Sequence, residues 1–210
     1  MFAAGLTLFF TRTLGDHPFG PDVPGSRKFM IYRGMPAEAL ISVAESRPLL
    51  NDLISAMICH DPNKRPTMDE CGSHPFFWGS RESLEKCRLA RGRVDLVRPT
   101  ALHEKWHTEW MRLLPAEVVE PLSKQATYKN NLRDLLRFVD NLSKHLHECE
   151  PKLVRVVMGA DEKSSVQAFL ENNRVHSDGA IEAVMYFFSR HLPRLLLSVQ
   201  RVQQAVVGLE

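Results

Sequence analysis

Residues 133–145 read Arg-Asp-Leu-Leu-Arg-Phe-Val-Asp-Asn-Leu-Ser-Lys-His, and this stretch decides the fold of the C-terminal half. At about 100° per residue, Leu135, Val139 and Leu142 fall on one side of a helix, where they form a continuous apolar stripe. The spacing therefore predicts an amphipathic helix that packs this stripe against a core and leaves its other side exposed.

The opposite side of that predicted helix presents Arg137, Asn141 and His145, each about one turn from the next. A guanidinium, an amide and an imidazole on one exposed surface are able to bind a phosphodiester and to transfer a proton to it. Spacing alone favours the alternative, which is a surface helix whose histidine has no chemical role.

Helix signals dominate the rest of the chain and strand-like alternation is nearly absent, so the predicted fold class is all-α. The apolar run 49–58 is expected to end before Pro62. Thr67 followed three residues later by glutamate is a capping-box pattern that would start a short helix. Asp178 is a candidate cap for a late helix that Pro193 bends or divides.

The composition is typical of a globular protein in a reducing compartment. Of 210 residues, 44% are apolar, 25% are charged and 8% are aromatic, which suffices for a core and excludes a disordered or collagen-like chain. The longest apolar run, near 1–10, is about half of the ~20 residues that a membrane span needs. The four cysteines are widely separated, which indicates free thiols rather than a disulfide framework.

Positive charge is concentrated in one part of the chain, although the net charge is only +2. Residues 123–155 hold seven Lys and Arg against four Asp and Glu. A local basic excess is compatible with a phosphate-bearing partner, but on its own it is more often a solvated face.

Two polar segments are expected to interrupt the helices. Residues 88–99 are basic and aperiodic, which predicts a junction. Residues 151–180 include a long polar stretch and are expected to be an insertion around a short helix.

The first 78 residues resemble part of the C-terminal lobe of a protein kinase. Residues 2–10 and 15–20 match the buried helix of that lobe and the loop after it, and 61–67 and 74–78 match its last helices. The Gly-rich nucleotide loop, the ATP-positioning lysine, H-R-D and D-F-G are all missing from the sequence. We therefore expect no ATP–Mg site and no kinase activity from this chain alone.

The remaining residues resemble the helical nuclease domain that follows such kinases. Thr-Tyr-Lys at 127–129, the helix 133–145 and Tyr-Phe-Phe-Ser-Arg-His-Leu-Pro-Arg-Leu-Leu at 186–196 are similar to the KEN (kinase-extension nuclease) domain of Ire-type sensors and ribonuclease L. The resemblance implies two parts, a partial kinase lobe at 1–78 and a KEN domain at 79–210.

The resemblance also implies a chemistry, namely RNA cleavage without a metal or other cofactor. In it, the ribose 2′-hydroxyl attacks the neighbouring phosphorus and leaves a 2′,3′-cyclic phosphate and a 5′-hydroxyl. The matching catalytic residues are His145 as general acid, Tyr128 as the group that helps to activate the 2′-hydroxyl, and Asn141, which positions the phosphate. The candidate substrate-binding residues are Arg137, Lys144 and Lys129.

The expected partners are a structured RNA hairpin and a second copy of the chain, because pairing of KEN domains builds an active nuclease in the family. No membrane contact is expected from this chain itself. In an Ire-type parent protein, the domain would lie on the cytosolic face of the endoplasmic reticulum membrane; otherwise it would be cytoplasmic.

One position departs from the family pattern. An arginine immediately precedes the asparagine in the family, whereas this sequence has Asp140 before Asn141. A carboxylate beside a phosphodiester opposes the negative charge of the transition state. The sequence therefore leaves open a second reading, in which the domain is a catalytically impaired remnant that binds RNA or dimerises.

A different motif suggests a remote third reading. His103, Glu104 and His107 fit H-E-x-x-H, which places two imidazoles on one side of a helix in zinc proteases. A catalytic zinc needs a third protein ligand, and none stands at a recognisable spacing.

Overall fold

The computed structural model describes residues 1–21, 23–35, 40, 47–97, 105–159 and 178–207. Every regular element in these ranges is helical, which confirms the all-α fold class. The α-helices described are α1 (Phe2–Thr13), α2 (Ser26–Arg33), α3 (Pro48–Met57), α4 (Met68–Gly72), α5 (Ser80–Arg93), α6 (Trp110–Leu113), α7 (Ala116–Gln125), α8 (Leu132–His145), α9 (Pro151–Met158), α10 (Asp178–His191) and α11 (Leu195–Val207).

The chain divides into two compact units, Met1–Trp78 and Gly79–Glu210, at the residue where the sequence changes its resemblance. Each unit has its own apolar core. Among the described residues, no helix combines the length and the apolar character that crossing a membrane requires.

The N-terminal unit is built on the packing of α1 against α3. Gly5 permits this packing, because a Cβ at that position would lie 2.7 Å from Cγ2 of Ile58 and 2.9 Å from Cβ of Met57. Phe9 is fully buried in the resulting core. A side chain at position 5 would therefore push the two helices apart.

The local signals of the N-terminal unit produce the elements that they predict. Helix α3 ends at Met57, before Pro62. Thr67 and Glu70 form the capping box: the amide of Glu70 donates to the hydroxyl of Thr67, and the amide of Thr67 donates to Oε2 of Glu70 at 2.7 Å. Both predictions are confirmed.

Helix α5 is the centre of the C-terminal unit and packs against α8, α10 and α11. It extends to Arg93, so the prediction of a junction from residue 88 is wrong. The residues that face the core are Ser83, Leu84, Cys87 and Ala90. Three of these four residues are small, which allows neighbouring helices to approach closely. Because few strongly apolar residues lie on the buried side, the sequence signal for this helix is weak.

The predicted insertion at 151–180 is also partly wrong. Residues 151–158 form α9, which packs against α7 and α10 and buries Leu153, Val154 and Val157. This segment is part of the core. Residues 160–177 lie outside the described residues, so the prediction is not tested there.

The last two helices follow the sequence signals closely. Helix α10 begins at Asp178, the residue expected to cap it, and ends at His191. Helix α11 begins at Leu195, so Pro193 divides the two helices. Helix α10 also packs against α8, which carries the candidate site.

Candidate active site

Helix α8 has the two sides that its sequence predicts. The apolar side is fully buried, whereas Arg137 and His145 are exposed and Asn141 is half-buried. Asn131 caps the helix, because its side-chain oxygen accepts a hydrogen bond from the amide of Asp134 at 2.8 Å. Oδ2 of Asp134 in turn accepts from the amide of Lys129 at 2.7 Å, which ties the preceding loop to the first turn of the helix.

That loop places Tyr128 beside the exposed side of α8. Nδ2 of Asn141 donates a hydrogen bond to the Tyr128 hydroxyl at 2.8 Å. The Tyr128 ring packs edge-to-face on Phe138, with ring centroids 5.2 Å apart. Trp110 buttresses the loop from the other side, because its indole N–H donates to the carbonyl oxygen of Lys129 at 3.2 Å. The tyrosine therefore has a fixed ring and a hydroxyl in contact with the helix.

Arg137 completes this arrangement. Its Cζ lies 5.3 Å from the centroid of the Tyr128 ring, and Nη1 donates to the carbonyl oxygen of Thr127 at 3.5 Å. A guanidinium over an aromatic ring is attracted to the electrons of the ring. Tyr128, Arg137 and Asn141 are thus brought together, and with His145 one turn further along they form what we call the exposed face.

His145 lies at the last residue of α8, and its side chain is 54% exposed. Its Nδ1 lies 2.9 Å from Oε2 of Glu148, in the 3-10 helix that follows. This contact orients the imidazole and leaves Nε2 directed elsewhere. Glu148 was missed by the sequence analysis, although its i,i+3 spacing from a helical histidine is a recognisable signal.

A cleft of about 530 Å³ adjoins His145, and carboxylates dominate its charged lining. Glu117, Glu120, Glu148 and Glu150 line it. Because this surface repels phosphates, a polyanion is expected to reach His145 from the side of Arg137, which does not line the cleft. Cys149 also lines the cleft, and burial together with Glu148 raises the pKa of its thiol to about 11, so that it is no nucleophile at neutral pH.

Asp140 does not share the exposed face, although Asn141 is the next residue. Its side chain is 3% exposed and is turned towards α5. Oδ1 accepts from Nε of Arg88 at 2.7 Å, and Oδ2 accepts from Nη1 of Arg91 at 3.0 Å and from Nζ of Lys144 at 2.9 Å. We call Asp140, Arg88, Arg91 and Lys144 the ion cluster.

The ion cluster corrects the interpretation of Asp140 as a charge opposed to a bound phosphate. Burial acts to raise the pKa of Asp140, but hydrogen bonds from Lys144 and Arg88 and the charges of both outweigh it and lower the pKa. The carboxylate is therefore ionised and surrounded by three cations. Arg88 and Arg91 were not among the predicted site residues, because they lie in the segment expected to be a junction.

The two predicted lysines occupy different surroundings. Lys144 belongs to the ion cluster, where its ammonium binds Asp140 and its side chain remains 40% exposed. The Lys129 side chain is exposed on the loop next to Tyr128. Both positions adjoin the exposed face, and their roles in binding a substrate stay predictions.

The zinc-protease reading finds no counterpart among the described residues. His107 lies in the short 3-10 helix Lys105–Thr108, is buried, and has Nε2 2.9 Å from the hydroxyl oxygen of Ser198. His103 and Glu104 lie outside the described residues. In the part of the chain that the structure describes, no group of three or more His, Cys, Asp or Glu side chains could hold a metal ion.

Comparison with known families gives a match over most of the C-terminal unit. The family model described as Ribonuclease 2-5A matches residues 93–208, which is just over half of the chain. The match includes the whole exposed face. It begins at the last residue of α5, so that Arg88 and Arg91 precede it.

Curated relatives match between about three quarters and nearly all of the chain. The serine/threonine-protein kinase/endoribonuclease IRE1a of Arabidopsis thaliana is 28% identical over 96% of the chain and 22% of its own length. The serine/threonine-protein kinase/endoribonuclease IRE2 of Homo sapiens is 27% identical over 98% of the chain and 21% of its own length. The sensor for unfolded proteins in the ER, ire1, of Schizosaccharomyces pombe is 30% identical over 76% of the chain and 16% of its own length. The chain thus spans about a fifth of the length of such relatives.

Proposed function

The chain belongs to the ribonuclease 2-5A family, with the Ire-type kinase/endoribonucleases as relatives, and on this premise we propose that its C-terminal unit is an endoribonuclease domain. The observation that carries the proposal is the contact between Tyr128 and Asn141 beside His145 on one exposed face. We propose that this face cleaves RNA by attack of the ribose 2′-hydroxyl on the adjacent phosphorus, without a metal.

We expect Tyr128 to help activate the 2′-hydroxyl by hydrogen bonding to it, and the proton that this hydroxyl loses passes to solvent water. The amide N–H of Asn141 donates to the phenol oxygen and holds it in position. The guanidinium of Arg137 over the ring holds the ring in the same place. The second amide hydrogen of Asn141 remains for a phosphate oxygen, which is the positioning role that the family resemblance implies.

His145 is the candidate general acid. In the protonated imidazolium, Nδ1–H donates a hydrogen bond to Oε2 of Glu148, and Nε2–H gives the proton that passes to the departing 5′-oxygen. Because the departing 5′-oxygen receives this proton, it leaves as a hydroxyl group and not as an alkoxide. The products are a 2′,3′-cyclic phosphate and a 5′-hydroxyl. Glu148 would also stabilise the imidazolium before the transfer.

The substrate is proposed to be structured RNA, approached from the basic side of α8. Arg137 on that side and Lys129 on the adjoining loop offer cations to the backbone, whereas the acidic cleft on the other side of His145 does not. One relative is named as a sensor for unfolded proteins in the ER, and the family resemblance implies that a longer parent protein would place this domain on the cytosolic face of that membrane. The N-terminal unit would then be the last part of the kinase that precedes it.

The test is cleavage of a fluorophore–quencher RNA hairpin by the full chain at micromolar concentration in EDTA. We expect cleavage that is lost when every ribose of the loop carries a 2′-O-methyl group, and mass spectrometry should find cyclic phosphate ends. His145→Ala should lower the rate about 10²–10⁴-fold. His147→Ala is the matched control, because it removes an imidazole that also lies near Glu148, with Nε2 3.5 Å from Oε1.

Several results would contradict the proposal. Cleavage of the 2′-O-methylated hairpin would exclude attack by the 2′-hydroxyl, and loss of activity in EDTA would exclude a metal-independent reaction. RNA binding without cleavage in the wild type, at every protein concentration, would favour the binding-remnant reading instead.

The homodimer is a further part of the proposal and has the family resemblance as its support. If a dimer is the active form, the initial rate should rise with the square of protein concentration at low concentration and then become linear. A strictly linear dependence over the whole range, with sedimentation as a monomer, would contradict it.

A further inference from the structure

The ion cluster carries more positive charge than its buried carboxylate needs. Three cations surround one anion, which leaves an excess of two positive charges at a single place on the surface. Each of the three cationic side chains is between 37% and 40% exposed, so the excess charge is open to solvent on one side. Packing of α5 on α8 alone does not require more than one cation here.

The arginines also have hydrogen-bond donors to spare. A guanidinium has five N–H donors. Among the described residues, Arg88 uses only Nε and Arg91 only Nη1, both towards Asp140. The outer N–H groups of both side chains are therefore directed away from the carboxylate, in the fork geometry that matches phosphate oxygens.

The cluster is continuous with the exposed face along α8. Lys144, which binds Oδ2 of Asp140, directly precedes His145, and Asp140 directly precedes Asn141. Arg137 lies about one turn before Asp140 and Asn141, on the same flank of the helix. A strand of RNA bound at Asn141 and His145 is therefore expected to extend past the two arginines.

We propose that Arg88 and Arg91, oriented by Asp140, bind a backbone phosphate of the RNA next to the one that is cleaved. The inference rests on the proposed function for the identity of the polyanion. Asp140 acts in it as a positioning residue, because its two oxygens fix both guanidinium groups and saturate its own negative charge. The site lies outside the residues matched by the family model, on helix α5.

The experiment measures binding of a fluorescein-labelled hairpin that is 2′-O-methylated throughout, so that cleavage plays no part. Fluorescence anisotropy gives the Kd of the full chain at a series of KCl concentrations between about 50 and 200 mM. The test variant is Arg88→Gln with Arg91→Gln, which keeps an N–H donor near Asp140 but removes both charges. The matched control is Arg190→Gln with Arg194→Gln, which removes two exposed guanidinium groups from the end of α10 and the turn after it.

We expect the test pair to raise Kd about tenfold at 100 mM salt and to reduce the slope of log K against log salt by about 1 to 2. The control should stay within twofold and keep the slope. A test pair that behaves like the control, or a wild type that does not bind the hairpin, would overturn the inference. If the cluster had only a structural role, the test pair would have a lower melting temperature than the wild type and the same salt slope.

A second pair covers the case in which the glutamine variant does not fold. Arg88→Lys with Arg91→Lys keeps both charges and loses the fork, so the salt slope should be retained while Kd rises about three- to tenfold. An unchanged Kd in the lysine pair would overturn the inference. The outcome is independent of the nuclease assay. If the wild type does not cleave RNA but the test pair has an altered salt slope, only the proposed function is contradicted. If the wild type cleaves RNA but the test pair has an unaltered slope, only this inference is contradicted.

Discussion

Two neighbouring residues of α8, Asp140 and Asn141, belong to different regions with opposite properties. The ion cluster around Asp140 is a carboxylate held by three cations from two helices, and it joins α8 to α5. The exposed face around Asn141 consists of polar side chains that contact one another and are open to solvent on one side. One turn of helix therefore serves the fold on one side and a candidate reaction on the other.

The difference teaches how a charge in a sequence motif should be interpreted. A carboxylate next to an asparagine that is expected to bind phosphate is predicted to oppose the proposed reaction when only the order of residues is considered. Because successive residues of a helix point about 100° apart, the same carboxylate is free to turn to another helix and to neutralise cations there. The position of a residue in a motif does not by itself determine the direction in which its side chain points.

The substitution with the largest expected effect breaks the ion cluster. Asp140→Arg would place a fourth cation among Arg88, Arg91 and Lys144, and we expect the free energy of unfolding to fall by about 3–5 kcal/mol, as for other disrupted buried ion pairs. Urea denaturation followed by circular dichroism measures it. An Asp140→Arg variant that is as stable as the wild type and cleaves RNA faster would show that the carboxylate lies on the exposed face after all.

The second prediction changes the exposed face and leaves the fold intact. Tyr128→Phe keeps the ring that packs on Phe138 and removes only the hydroxyl that accepts from Asn141. We expect the single-turnover cleavage rate to fall about 10–100-fold, with unfolding free energy within about 1 kcal/mol of the wild type. Tyr186→Phe serves as the control, because Tyr186 is an exposed tyrosine of α10. Equal effects of the two substitutions would remove Tyr128 from the mechanism.

A smaller effect sharpens the role of the carboxylate behind His145. Glu148→Gln keeps the shape of the side chain and loses the charge that orients the imidazole, and we expect the cleavage rate to fall about three- to tenfold. Glu150→Gln removes a carboxylate from the same cleft without a contact to His145 and should leave the rate unchanged. A larger loss in Glu150→Gln than in Glu148→Gln would contradict the assignment.

The last prediction concerns pH and distinguishes the two regions by stability alone. The pKa of Asp140 is lowered from 3.8 in the folded chain, so its ionised form stabilises the fold above about pH 4 and this contribution disappears as the pH falls through the lowered pKa. Asp140→Asn should therefore be less stable than the wild type at pH 6, and the difference should shrink at pH 2–3. A difference that stays constant over this range would mean that the charge of Asp140 does not stabilise the fold.

The features that the sequence predicted well are local. The periodicity of 133–145 identifies the buried and exposed sides of α8, and Thr67 with Glu70 identifies a helix start, because each signal lies within one or two turns of the element that it describes. The family resemblance assigned Tyr128 and Asn141 to one site, but the hydrogen bond between them, across 13 residues, was found only in the structure.

The features that it missed depend on contacts between distant segments. Arg88 and Asp140 are 52 residues apart, and nothing near either residue indicates that they meet. Helix α5 escaped detection because its buried side is made of small residues such as Ser83 and Ala90 among many charges. Helix α9 has a clear apolar side, but the polar residues after it led to its assignment to an insertion.

The most direct test of the account compares His145→Ala with Asp140→Asn in two measurements on the same samples, the free energy of unfolding and the single-turnover cleavage rate at saturating RNA. We predict that His145→Ala loses at least about 10²-fold in rate, with stability within about 0.5 kcal/mol of the wild type. Asp140→Asn should lose about 2–3 kcal/mol of stability while the rate of the folded protein stays within about tenfold. Cleavage that survives in His145→Ala would contradict the account, because the exposed face would then not be where RNA is cut.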